Sequence, residues 1–145
     1  MTTETKLEFG TTAWIDALGD VFRAAIEGAG ESAGSITFSI SELYTDVPAH
    51  ISSAGQAGWA CRITDGQVAF QHAADPSADI VIESDWATVK PLARIVVDGD
   101  PGRQAEIDGM MAEAIESGRM RVEGDITAFP EAIGTVHDEI ARRTG

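Results

Sequence analysis

The feature that most restricts the fold is a period of two in the apolar residues between positions 36 and 82. Successive side chains of an extended strand point to opposite faces, so this alternation predicts a sheet with one apolar face and one polar face. The alternating apolar residues form four groups: Ile36, Phe38 and Ile40; Trp59, Cys61 and Ile63; Val68 and Phe70; and Ile80 and Ile82.

Turn residues between these segments divide the pattern into strands. Five strands are predicted, over residues 35–44, 57–63, 67–72, 80–83 and 119–124. Asp65-Gly66 lies between the second strand and the third, and Asp-Gly is typical of the two-residue turn of a hairpin. We therefore expect these two strands to pair antiparallel.

Apolar residues at helical spacing predict four helices around the strands. Three of them cover residues 12–27, 103–117 and 127–143, and another begins at Ser84 or Asp85. Pro91 lies inside that one, which predicts a kink there or a helix that begins near Pro91. The last helix carries a near-heptad apolar stripe of Ile126, Phe129, Ile133, Val136 and Ile140. This order of elements predicts an α+β fold in a single domain over residues 1–145.

Three stretches are expected to lack long regular elements. Residues 1–10 form a loose polar lead-in, and the glycine-rich stretch 28–35 forms a flexible link into the first strand. Residues 45–55, with Pro48 and Gly55, are expected to form a loop or a short helical turn.

The charge balance restricts the partners of the chain. There are 10 Lys and Arg residues against 24 Asp and Glu residues, for a net charge of −14. Nucleic acid is disfavoured as a partner, because protein affinity for it comes largely from neutralisation of its phosphates. Stable membrane insertion and permanent binding to an anionic membrane surface are disfavoured as well. The acidic balance is typical of a well-dispersed bacterial protein.

The lack of a recognisable targeting signal and the single cysteine favour a cytoplasmic location. The N-terminal residues lack the basic and then apolar pattern of a signal peptide, and no apolar run reaches membrane-spanning length. Cys61 is the one cysteine, so no internal disulfide forms, which agrees with a reducing compartment. It is in phase with Trp59 and Ile63, so we expect a small core residue rather than a nucleophile.

Four stretches in this order give the chain a family resemblance. From about Phe9 to Arg143 it resembles the sterol carrier protein type 2 family, or SCP-2-like fold. The stretches are ITFSI at 36–40, the Trp59 strand with its Asp65-Gly66 turn and the Val68 strand, ADIVIESD at 78–85 and GRMRVEGD at 118–125. The resemblance implies a five-stranded, mainly antiparallel sheet covered on one face by amphipathic helices. It also implies a hydrophobic tunnel between sheet and helices for sterols, fatty acyl chains or other lipids.

The chain departs from this resemblance between Trp86 and Gly118, where it has more residues than the family implies. On this resemblance, the added material is expected to lengthen the cavity wall or to cap its mouth. The residues expected to bind the ligand come from the apolar face and the helices over it: Phe38, Ile40, Trp59, Cys61, Phe70, Ile82, Trp86, Val89, Met110, Met111, Ile115, Met120 and Phe129.

No catalytic signature is present in the sequence, so the candidate acid–base residues are chosen only by their positions along the chain. Tyr44, Asp46 and His50 lie in or beside the 45–55 loop, where a carboxylate could orient an imidazole as a general base. His72 is in phase with the third strand and would anchor a head group or shuttle a proton. His137 is expected at the boundary of the last helix. The histidines lack metal-ligand spacing, and we expect no metal and no cofactor.

Two functions of different classes remain open at this point. The first is a non-catalytic carrier that holds a hydrophobic small molecule (a lipid, fatty acyl chain or steroid) and presents it to a lipid- or steroid-metabolising enzyme. The alternative is a small enzyme of hydratase, isomerase or cyclase type that uses the same apolar pocket with a carboxylate–histidine pair. An interaction module or a structural oligomer is a third option. An exposed side of Trp14 and the near-heptad last helix permit a homodimer.

Overall fold

The computed structural model describes residues 6–145, apart from the side chain of Ile126. Residues 1–5 of the expected lead-in, and the expected place of the Ile126 side chain on the last helix, lie outside the described part of the chain. The elements in chain order are α1 (Thr12–Ala29), a 3₁₀ helix (Gly30–Ser35), β1 (Phe38–Thr45), β2 (Ala57–Thr64), β3 (Gln67–Gln71), β4 (Ile80–Asp85), α2 (Trp86–Ala93), α3 (Pro101–Glu116), β5 (Met120–Glu123), 3₁₀ turns at Ile126–Ala128 and Glu131–Ile133, and α4 (Val136–Arg142).

The five strands form one sheet in the order β3-β2-β1-β4-β5. The central pair, β1 and β4, is parallel, and the other three pairs are antiparallel. Helices contact the apolar side: α1 packs on β2 and β3, α2 on β1 and β4, and α3 beside β5. The expected α+β fold with a mainly antiparallel five-stranded sheet is confirmed.

The β2–β3 hairpin has the predicted turn. Asp65 and Gly66 both have positive φ, 50° and 78°, which the favoured two-residue hairpin turn requires. A Cβ atom on Gly66 would lie 2.6 Å from the carbonyl oxygen of Ala33, so the turn packs directly on the segment before β1. That segment is a 3₁₀ helix over Gly30–Ser35, so the predicted link into β1 has regular structure over these residues.

The polar side of the sheet is crossed by residues 73–79, the connection from β3 to β4. The Asp79 carboxylate accepts hydrogen bonds from the backbone N–H of Ser39 at 2.8 Å and from its hydroxyl at 3.2 Å. The backbone N–H of Asp75 donates to the Ser41 hydroxyl at 2.8 Å. The small serine side chains of β1 let this connection lie close to the strand, and both become buried.

The C-terminal region differs from the predicted long helix. Two 3₁₀ turns precede α4, which covers only Val136–Arg142. Pro130 explains the interruption, because proline has no N–H to donate and disfavours helical backbone at the residue before it. α2 begins at Trp86, capped by the Asp85 side chain, and runs through Pro91 to Ala93, so a start near Pro91 was also wrong.

Residues 6–10 are held by the C-terminus rather than loose. The backbone N–H of Leu7 donates to the carbonyl oxygen of Arg143 at 2.7 Å, and Phe9 is fully buried. Trp14 is buried as well, and its Nε1–H donates to the Thr144 hydroxyl at 2.9 Å. The exposed side of Trp14 that permitted a homodimer therefore does not exist.

Candidate ligand-binding cavity

A cavity of about 260 Å³ lies between the apolar face of the sheet and the helices. The sheet, the N-terminal part, α2, α3 and the C-terminal part all contribute lining residues, and most of the lining is apolar. The lining residues of the sheet are Ile40, Glu42, Tyr44, Trp59, Ile80, Ile82 and Met120; those of the N-terminal part are Phe9, Trp14, Leu18 and Phe22; those of α2 and α3 are Val89, Leu92, Ala93, Ile107 and Met111; and those of the C-terminal part are Phe129, Gly134, Val136, His137 and Ile140.

Aromatic rings form the wall on the side of α1. Phe9 makes edge contacts with Trp14 and Tyr44, with ring centroids 4.8 Å and 4.7 Å apart. Phe22 and Trp59 lie 5.6 Å apart in a tilted arrangement. Such contacts add to the hydrophobic gain from burying the rings, so this wall is a firm surface.

The exposed lining residues mark the side on which the cavity approaches the surface. Phe129 is 36% exposed, and His137 is exposed with its Nε2 hydrogen-bonded to the Ile95 carbonyl oxygen at 2.8 Å. We infer that the mouth lies beside these two residues, on the broken C-terminal segment.

Glu42 is the acidic residue in this lining. It follows Ile40 by two positions on β1, so its side chain lies on the apolar face, where the register places it opposite Trp59 on β2 and Ile82 on β4. The Tyr44 hydroxyl donates to Glu42 Oε1 at 3.0 Å, and the Trp59 indole N–H donates to the Tyr44 hydroxyl at 2.8 Å. Three side chains from two adjacent strands thus form a polar chain inside an apolar cavity.

The apolar surroundings change the titration of these groups. Burial raises the pKa of the Glu42 carboxyl to about 7, against the opposing effect of its hydrogen bond from Tyr44. Burial also raises the pKa of the Tyr44 hydroxyl well above its usual value, and the neighbouring Glu42 charge acts in the same direction. The carboxyl therefore exchanges its proton near neutral pH, while the tyrosine stays protonated.

Seven of the predicted ligand-binding residues line the cavity: Ile40, Trp59, Ile82, Val89, Met111, Met120 and Phe129. The other six lie elsewhere. Phe38 packs against the ring of Phe129 and Phe70 stacks on Trp59, both behind the lining. Trp86 donates from its indole N–H to the Phe9 carbonyl oxygen, Met110 is partly buried beside the core, and Ile115 is 46% exposed.

Cys61 is buried in the core, outside the cavity lining. Burial raises the pKa of its thiol to about 12, so the thiolate needed for nucleophilic attack is scarce. The thiol has the small-core character expected from its place between Trp59 and Ile63.

The predicted acid–base residues do not assemble at the cavity. His50 pairs with Glu8 at 3.0 Å rather than with Asp46, and Asp46 is exposed. His72 pairs with Asp16 at 2.7 Å, again among exposed side chains. In residues 6–145, no carboxylate–histidine ion pair involves a cavity-lining residue. Only Tyr44 of the four candidates lines the cavity, and its partner is Glu42.

Fourteen of the 21 lining residues are not among the predicted ligand-binding residues, and they include Glu42 and the four aromatic and aliphatic residues at positions 9, 14, 18 and 22. The signal for Glu42 was its phase, since it continues the apolar series of Phe38 and Ile40 on β1. An acidic residue at an inward position is unusual unless it is paired, and this was the available clue. The N-terminal residues gave no clue to their place, because only the docking of α1 brings them to the sheet.

Neither a spanning helix nor a metal cluster is found in the described residues. No helix within 6–145 is long and apolar enough to cross a membrane. No group of three or more His, Cys, Asp or Glu side chains in the same range is arranged to hold a metal ion.

No protein-family model and no curated protein matches this chain significantly. Solved structures share its fold. A conserved hypothetical protein of Thermus thermophilus, suggested to be a sterol carrier protein, is 18% identical, with 97% of this chain and 94% of that chain covered and a TM-score of 0.52.

Two further structures agree with that result. A crystal structure of sterol carrier protein 2 is 17% identical, with 93% of this chain and 95% of that chain covered and a TM-score of 0.50. The sterol carrier protein domain 2 of Helicoverpa armigera is 10% identical, with 99% and 98% covered and a TM-score of 0.50. The chain has the SCP-2-like fold.

Proposed function

We propose that this chain binds a slender hydrophobic molecule, such as an alkyl or fatty acyl chain, in the cavity between sheet and helices, and carries it. The observation that supports this most is the cavity itself, with its almost entirely apolar lining. Its volume of about 260 Å³ is slightly below the roughly 300–1,000 Å³ of typical small-molecule pockets, which favours one chain or a small ring system over a bulkier ligand.

The energetics support binding without catalysis. Each buried methylene contributes about 0.8 kcal/mol, so a chain of about ten methylenes gains roughly 8 kcal/mol before the costs of association. The cost of ordering the binding site is reduced, because strands and helices already hold the cavity walls in place. Sterol carrier proteins among the solved structures of the same fold are consistent with this proposal.

Delivery of the bound molecule to a lipid- or steroid-metabolising enzyme belongs to the same proposal. The cytoplasmic location stays a prediction from the sequence. The alternative of a hydratase, isomerase or cyclase rested on Tyr44, Asp46, His50 and His72. The imidazoles of His50 and His72 pair with Glu8 and Asp16 among exposed side chains, and Tyr44 alone of the four lines the cavity. The carboxylate–histidine pair on which that alternative depended therefore does not support it.

Two adjacent methionines of α3 offer a matched test. Met111 lines the cavity and Met110 does not, although both are partly buried. We expect Met111→Glu to weaken binding of a slender neutral apolar dye, such as diphenylhexatriene, at least tenfold, because a carboxylate in an apolar cavity is costly to bury. Met110→Glu should change the affinity less than about twofold. Fluorescence titration measures both.

A second variant covers the case in which Met111→Glu loses its fold, which circular dichroism would reveal. Met111→Trp keeps an apolar side chain and fills cavity space, so it should also weaken dye binding while the fold remains. Equal dye affinity in wild type, Met111→Trp and Met110→Glu would contradict the proposal, as would a wild-type protein that binds no apolar probe.

A further inference from the structure

The polar chain inside the cavity has a fixed direction of hydrogen bonding. An indole N–H can only donate, so the Tyr44 hydroxyl must accept from Trp59. The tyrosine proton is then free to be donated to Glu42 Oε1. Every donor in the chain therefore points toward the carboxyl group, which is the terminal acceptor.

Glu42 keeps accepting capacity toward the cavity. Among residues 6–145, Tyr44 is the one side chain that hydrogen-bonds to its carboxyl, and it contacts one of the two oxygens. Glu42 lines the cavity, and neither of its side-chain oxygens is fully buried without a hydrogen-bond partner. The second oxygen thus borders the cavity space, where a ligand group can reach it.

The described lining residues supply no lysine or arginine to pair with this carboxyl. The other titratable side chains in the lining are Tyr44, which already donates to Glu42, and His137. The His137 ring is held by the carbonyl oxygen of Ile95, at the side where exposed residues mark the mouth. An ionised Glu42 is accordingly short of a positive partner unless a ligand brings one.

We propose that Glu42 and Tyr44, oriented by Trp59, form a head-group site that selects apolar molecules carrying a basic nitrogen over those ending in a carboxylate. This inference rests on the proposed function, since it concerns the same cavity. An ammonium group supplies both the donors and the positive charge that the site lacks. A ligand carboxylate meets a group of its own charge and finds its nearest donor, the Tyr44 hydroxyl, already engaged.

The elevated pKa of Glu42 fits such a site. A carboxyl that titrates at about 7 is neutral in a larger fraction of empty protein than an ordinary glutamate, which reduces the cost of leaving it without a partner. An arriving cation then favours the ionised form, because an opposite charge at close range stabilises it. The net charge of −14 acts in the same direction by attracting cations to the protein.

Three probes of equal chain length test the selection: dodecylamine, dodecanol and dodecanoate. Each is titrated into wild-type protein that holds diphenylhexatriene, at about pH 8, where Glu42 with its pKa of about 7 is mostly ionised, and displacement of the dye is measured. The amine and the carboxylate are kept below their micellar concentrations and the alcohol below its solubility limit. We expect dodecylamine to bind about ten to a hundred times more tightly than dodecanoate, as a charge-assisted hydrogen bond permits. Dodecanol should lie between them.

Glu42→Gln tests the residue itself, because it keeps the size of the side chain and removes the charge. In this variant the amine and the carboxylate should bind within about threefold of each other. Glu83→Gln is the matched control. Glu83 lies on the opposite face of the sheet, paired with Arg121, so this change removes one negative charge and leaves the cavity intact. It should keep the wild-type preference for dodecylamine.

The outcomes separate the two proposals. If no probe and no dye binds the wild type, the binding function is wrong. If all three probes bind and dodecanoate equals or exceeds dodecylamine, the function stands and the selection by Glu42 is wrong. A preference for dodecylamine that survives in Glu42→Gln would also overturn it, since the preference would then come from the overall negative charge.

Discussion

A glutamate on the apolar face of a strand carries an energetic cost that its surroundings must offset. For Glu42, the hydrogen bond from Tyr44 offsets part of it, and protonation near pH 7 offsets more. Phase along β1 predicts the inward position of this residue, but its tyrosine partner and its place at the cavity depend on register and helix docking. The phase of Glu42 was therefore an available signal for its position, which the sequence analysis did not use, and its chemistry depends on the folded structure.

The pH dependence of stability tests this environment. The raised pKa means that the folded state holds the Glu42 proton more tightly than the unfolded chain, whose value is near 4.5. The stability from this group is fully present below about pH 4.5 and is lost as pH rises through about 7. Relative to Glu42→Gln, the free energy of unfolding of the wild type should fall by about 2 kcal/mol between about pH 5 and about pH 8.

Urea denaturation of the two proteins at both pH values measures this difference, and the subtraction removes the titration of the other acidic groups. Glu83→Gln again serves as control, and its difference from wild type should stay nearly constant over the same range. A constant difference for Glu42→Gln as well would mean that water reaches the carboxyl freely.

At the scale of elements, local signals were read correctly where the physics is local. Asp65-Gly66 predicted the hairpin because the turn depends only on these two residues, and both adopt the positive φ values that it requires. The last helix was predicted too long because a near-heptad stripe of apolar residues also arises from consecutive turns that face one core. Pro130 was the local signal against a continuous helix, and the stripe outweighed it in the sequence analysis.

Two glycines that flank β5 provide a matched pair for this scale. Gly118 and Gly124 both have positive φ, 79° and 97°. A Cβ atom at Gly118 would meet nothing within 4 Å, whereas one at Gly124 would lie 2.0 Å from the Asp79 carbonyl oxygen. Gly118→Ala should cost about 1 kcal/mol of unfolding free energy from backbone strain alone.

Gly124→Ala should cost at least about 2 kcal/mol more than Gly118→Ala, because the backbone at the start of β4 must also move. Chemical denaturation monitored by tryptophan fluorescence gives both values. Equal losses for the two variants would show that β5 does not approach Asp79 as closely as the structure has it.

At the scale of the whole molecule, the sequence predicted the fold class, and its ligand-binding candidates include seven of the 21 residues that line the cavity. Periodicity assigns residues to a face, and in this fold core and cavity share one face. Phe70 and Ile82 have the same strand pattern, yet Phe70 stacks behind Trp59 while Ile82 lines the cavity. Only the docking of α1, α2 and α3 decides which apolar residues are covered by protein and which border open space.

The position of a bound chain tests the cavity most directly, and isoleucine methyl groups report it residue by residue. We would record intermolecular nuclear Overhauser effects between dodecylamine and protein labelled at its isoleucine methyls. They should appear at the five isoleucines of the lining, Ile40, Ile80, Ile82, Ile107 and Ile140, and be absent at the partly buried Ile36, Ile51 and Ile95. Effects seen only at the second group, or no effects at any isoleucine, would contradict binding between sheet and helices.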